Sequence, residues 1–100
     1  MSTWRFEAPL WQWPGGNWFF LTLPEDVSDD IAEASEGTAG GFGSVRVEVT
    51  SGATTWRTSI FPSSSAQAYV LPVKKSVRQA ERLTDGSGVT VRLRLLEPGA

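Results

Sequence analysis

The chain has 100 residues, a net charge of −2, five tryptophans, and neither cysteine nor histidine. The two absences exclude a disulfide framework, a thiolate metal site and a cysteine nucleophile, and remove the commonest general base and transition-metal ligand. Residues 1–100 are long enough for one domain with one core, held by packing alone. The opening Met1-Ser2-Thr3-Trp4-Arg5 lacks the apolar run of a signal peptide, and no window approaches the roughly 20 apolar residues of a membrane helix, so the expected location is cytoplasmic, away from membranes. Charge is segregated. Residues 1–40 carry one Arg against seven acids, and residues 41–100 carry eight bases against four acids, a contrast that internal pairing can partly cancel.

In chain order, Trp4-Arg5-Phe6-Glu7-Ala8 alternates with the period of a half-buried strand, and Pro9, with no amide proton, marks an edge or bulge. Trp11 and Trp13 have the opposite parity from Trp4, Phe6 and Leu10; without a bulge they point away from the core. Pro14-Gly15-Gly16-Asn17 is a turn. Trp18 to Leu23 follows as a nearly continuous apolar strand, expected to be covered on both faces and to form a hairpin with the first. Pro24 opens a helix with Glu25 and Asp26 in its first turn and a stripe of Val27, Ile31 and Ala34. A glycine-rich connection, residues 36–43, is expected to be mobile.

Ser44 to Thr50 is the clearest strand, with Val45, Val47 and Val49 inward, and Ser51-Gly52-Ala53 turns it into a strand from Thr54 to Phe61. Pro62 to Ala66 makes a turn, Gln67 to Leu71 a strand, and Pro72 opens a second helix striped by Val73, Val77 and Ala80. After Asp85-Gly86-Ser87-Gly88, Val89 to Leu95 is the last strand, and residues 97–100 form a tail. Leu23-Pro24 and Leu71-Pro72 each lead a strand into a helix, a similar supersecondary unit without a sequence repeat. Six short strands and two helices suit a mainly β, small six-stranded barrel capped by two short helices.

Trp18 to Pro24, Val45 to Val49, Trp56-Arg57-Thr58-Ser59-Ile60-Phe61-Pro62, Tyr69-Val70-Leu71-Pro72-Val73-Lys74 and Gly88 to Val91 resemble the bacterial DUF1905 family over roughly residues 4 to 96. The resemblance implies a double-split β-barrel, distantly similar in architecture to AbrB/MazE-type domains, and sometimes fused in the family to a YdeI/OmpD-associated bacteriocin-resistance type domain that this chain lacks. The turn from Ser63 to Ala68 has no glycine where the family usually has one, and Gly88 stands directly before the last strand where an acid is usual. The family's function is open, so the resemblance supports a fold and leaves the activity to the residues.

Trp4, Trp18 and Trp56 read as core residues, and Trp11 and Trp13 either pack behind a bulge or present indoles for stacking. The best small-site candidate is Arg57, Ser59, Tyr69 and Lys74: if Arg57, Ser59 and Tyr69 share one face, an Arg fork and two hydroxyls can clamp a carboxylate or phosphate. Lys74, Lys75, Arg78, Arg82, Arg92 and Arg94 form an alternative nucleic-acid surface, or simply a solvated basic face. A Ser59–Lys74 hydrolase is a weaker reading, because Ser59 has no His and Lys74 needs a depressed pKa. Glu25, Asp26, Asp29, Asp30 and Glu33 have the spacing of a helix surface, not of a Ca²⁺ loop, and residues 37–43 lack the Lys-Ser/Thr end of a phosphate loop. The expected protein is a non-enzymatic binding module without metal or cofactor, whose partner is a small anion or a protein segment.

Overall fold

The computed structural model describes residues 3–35 and 43–96; the glycine-rich connection up to Phe42 and the tail lie outside them. Seven strands and two helices follow in chain order: β1 (Thr3–Pro9), β2 (Trp11–Gln12), β3 (Phe19–Thr22), α1 (Glu25–Ala34), β4 (Val45–Ser51), β5 (Thr54–Ser63), β6 (Ala68–Pro72), α2 (Lys75–Ala80) and β7 (Gly88–Leu95). The strands form one antiparallel sheet in the order β1-β7-β4-β5-β6-β3-β2, curled into a half-barrel. The seventh strand is the Trp11–Gln12 segment, cut from the first by Leu10. Pro9 has no N–H, and Leu10 turns its own N–H to Ser87 O at 2.8 Å while its carbonyl accepts from Gly86 N at 2.7 Å.

That break also corrects the expected hairpin. β1 pairs along its whole length with β7, Thr3 opposite Arg94 through Pro9 opposite Gly88, and only Trp11 and Gln12 reach β3. β5 changes partner in the same way: Thr54 to Ile60 lie against β4, and Phe61 to Ser63 against β6. Two chain segments thus run from one half of the sheet to the other. Their bends curl the sheet and leave the inward side to Phe6, Ala8, Leu10, Val47, Val49, Ile60, Val91 and Leu93, all buried. At about 1.5–3 kcal/mol for each large apolar side chain taken fully out of water, this layer is the main source of cohesion.

The alternating strands behave as their pattern predicts, whereas the helices and β3 depart from theirs. Val27 and Ile31 of α1 are buried but Ala34 is exposed, and Ser28 is buried in its place, its Oγ accepting from Tyr69 N–H at 3.1 Å. In α2 only Val77 is buried; Pro72 is the last residue of β6, Val73 is buried in the link, and Lys74 stands at the N-cap. In β3, Leu21 is fully buried, yet Phe19 and Phe20 are half-buried, so the strand is covered on one side only. Trp56 is core and Trp4 packs against it, but Trp18 is 70% exposed. The reason is local: Trp18 belongs to the turn, its carbonyl accepting from Trp13 N–H at 2.7 Å, and its side chain lies over open space beside α2.

The two strand-helix units are related by a pseudo-two-fold. β3 and β6 pair with Leu21 opposite Leu71, and two matching bonds flank them, Leu23 N–H to Tyr69 O and Val73 N–H to Phe19 O, both 2.9 Å. Trp11 opposite Phe20 corresponds to Phe61 opposite Val70, a shift of fifty positions that also carries Val27 onto Val77, both buried. No helix among the described residues is long and apolar enough to cross a membrane.

Candidate functional site

Between α2 and the strands β3, β5 and β6 lies an open groove of about 740 Å³. Its walls are apolar. Trp18, Phe19 and Phe20 come from β3 and the turn before it, Trp56 and Phe61 from β5, and Val70, Pro72 and Val73 from β6 and the link to α2. Phe61 is 44% exposed, so the strand that changes partner at this point lifts an aromatic ring into the opening. Every charged side chain lining the groove is a cation: Arg57, Lys74, Lys75 and Arg78. A mostly apolar cleft with a few convergent polar groups is the usual form of a small-molecule site.

Two of these residues have defined partners. The Arg78 guanidinium lies over the Phe19 ring, 4.0 Å from its centroid, while Nε donates to the Val73 carbonyl at 3.2 Å; the cation is thereby held as part of the wall. Arg57 Nε donates to Glu48 Oε2 at 3.3 Å, and Arg94 Nε donates to Glu48 Oε1 at 2.9 Å. The hydrogen bond from Arg94 is the foremost cause holding the Glu48 carboxyl below its ordinary value, with Arg57 adding to it against an opposing desolvation. Trp56 lines the groove and is only 6% exposed, and its buried Nε1–H meets no acceptor among the described residues. An unmatched buried donor costs about 1–3 kcal/mol.

Of the four residues of the small-site candidate, the fold brings Arg57 and Lys74 to the groove, but Ser59 and Tyr69 are not among its lining. For Tyr69, register is the reason. Tyr69 pairs with Pro62 and Val70 with Phe61, so Val70, not Tyr69, shares the face of Phe61 and of the preceding odd-numbered residues of β5. Tyr69 is half-buried against the core, and Ser59 Oγ accepts from Arg46 Nη1 at 3.4 Å on the outer sheet face. The six residues of the alternative nucleic-acid surface also separate: Lys74, Lys75 and Arg78 line the groove, Arg82 sits in the turn after α2, and Arg92 and Arg94 are on β7. The contributions of Trp18 and Phe61 escaped the sequence reading. The available signal was the apolar run Trp18-Phe19-Phe20 directly after a tight turn, too long for a four-residue strand to bury.

Trp11 and Trp13 resolve as a half-buried and an exposed ring. With Phe20 they form a cluster, Trp11 5.1 Å and Trp13 6.4 Å from it between centroids, and Trp11 Nε1 donates to Thr22 Oγ1 at 2.9 Å. Among the described residues no group of three His, Cys, Asp or Glu side chains is placed to hold a metal ion.

No curated protein matches this chain. A family model does, covering residues 6–93 and with them the groove and nearly all of the sheet, and by that match the chain belongs to the DUF1905 family, a domain of unknown function.

Proposed function

We propose that this domain is a non-enzymatic binding module of the bacterial cytoplasm, and that its groove takes a small amphipathic anion. The observation that carries the reading is an aromatic-walled cleft whose charged lining is wholly cationic, Arg57, Lys74, Lys75 and Arg78. An apolar or aromatic body lies against Trp18, Phe61 and Val70, and a carboxylate, sulfonate or phosphate meets the cations, with Arg57 offering a planar fork. The hydrolase alternative draws no support from the placement of its two residues, since Lys74 lines the groove and Ser59 does not.

The test is a titration with the aromatic sulfonate 8-anilinonaphthalene-1-sulfonate, competed by a medium-chain fatty acid. One saturable site is expected, weakened at least about tenfold, or about 1.4 kcal/mol, in Lys74→Glu/Lys75→Glu and in Phe61→Ala, with unchanged circular dichroism. Binding indifferent to these substitutions, or equal for a neutral analogue of the probe, would sink the assignment.

A further inference from the structure

The outward face of the other half of the sheet has a different chemistry. Register places Thr3, Arg5 and Glu7 of β1 beside Arg94, Arg92 and Thr90 of β7, and these beside Glu48 and Thr50 of β4; Arg46, Glu48 and Thr50 in turn face Ser59, Arg57 and Thr55 of β5. Five of the chain's seven arginines stand on this face, with two carboxylates and otherwise only Thr and Ser. The face is therefore positive, on a chain whose net charge is −2.

Its internal pairing is incomplete. Glu48 lies between Arg57 and Arg94 and is bonded to both, the arrangement expected when a sheet neutralises itself. Arg5, by contrast, stands directly opposite Arg92, and among the described residues neither makes an ion pair. Like charges across a ladder cost stability, so folding alone gives no reason for the pair. Beside it Thr3, Thr50, Arg92, Arg94 and Glu48 line a hollow of about 310 Å³.

We infer that this face binds the phosphate backbone of double-stranded nucleic acid. Guanidinium forks and hydroxyls are the groups that grip phosphate oxygens, and four strands about 4.8 Å apart present them as a broad plate. As far as Ser59 the plate carries no aromatic ring to stack an unpaired base, which disfavours single strands; Phe61, the next residue on this face of β5, belongs to the groove. It also carries no apolar anchor, around which protein interfaces are usually built. Binding is sequence-independent, since nothing on the plate reaches into a groove to read base edges. This surface stands independently of the α2 groove, with Arg57 the one residue that touches both.

The experiment is fluorescence anisotropy with a short labelled DNA duplex at several salt concentrations. Binding is expected at low salt, with log K falling against log salt by about 0.9 per phosphate contacted, a slope near −4 to −5 if all five arginines take part. Arg5→Gln/Arg92→Gln should lower that slope by nearly 2 and leave 8-anilinonaphthalene-1-sulfonate binding unchanged; Lys74→Glu/Lys75→Glu should do the reverse. No binding at low salt overturns the inference. So does a slope unaltered in Arg5→Gln/Arg92→Gln, or preference for anionic phospholipid vesicles over the duplex.

Discussion

Gln67 and Arg82 hold positive φ, 52° and 55°, in a region that costs an L-residue roughly 1–2 kcal/mol. Arg82 sits just past the C-cap of α2, with Leu83 N–H bonded to Arg78 O at 2.8 Å, the backbone reversal at which glycine commonly ends a helix. Gln67 occupies the turn between β5 and β6, where the sequence lacks the expected glycine. Gln67→Gly should therefore stabilise the fold by about 0.5–1 kcal/mol, the relief of strain less glycine's greater loss of chain freedom; a higher urea midpoint at unchanged slope would show it. Glu48 supplies a pH dependence. Its pKa is depressed in the folded state, so its stabilising effect is present above the ordinary glutamate range and is lost as pH falls through the folded value. Melting curves across acid pH should show Glu48→Gln less stable than the parent near neutrality, with the gap narrowing as the pH drops.

At the level of elements, the β4–β5 turn and α2 are mutually fitted. Gly52 has φ +57°, and a Cβ there would meet the Glu81 carboxylate, which accepts from Thr54 Oγ1 at 2.7 Å. Gly52→Ala should cost about 1–3 kcal/mol, part backbone strain and part displacement of Glu81. Adding Glu81→Ala should recover only the second part, and a double-mutant cycle by denaturant unfolding measures the division. Strands β4, β5 and β7 were legible in the sequence because one face is dry and the other wet, which enforces alternation. β3 was legible as a strand but not in its burial, because its second face opens on the groove and keeps aromatic residues that imitate burial. The repeat was hidden for a related reason. Pro24 and Pro72 look equivalent, but the register shift carries Pro24 onto Lys74, so one proline caps a helix and the other ends a strand. Arg57 and Lys74 were reachable as candidates from residue type. The exclusion of Tyr69 needed the register across the Ser63–Ala68 turn, which composition does not specify.

Over the whole molecule, the contrast between the acidic first part of the chain and the basic remainder survives folding. Among the described residues both ion pairs are made by Glu48, and the acids of α1 make none. All the cations but Arg82 divide between groove and outer sheet face, which gives the two proposed binding surfaces separate tests. The pseudo-two-fold passes between Leu21 and Leu71, and under its fifty-residue shift Ser28 corresponds to Arg78 and Tyr69 to Phe19. At one position a short hydroxyl takes the Tyr69 amide and draws α1 onto β6; at the other a long cation lies on a ring and leaves space beside α2. Two identical half-chains joined by this symmetry would form a homodimer in which each subunit's Leu meets its own copy, and both sides would have to be alike. A single chain carrying both halves is free of that constraint: it can close one side for cohesion and leave the other open, as the proposed ligand groove requires.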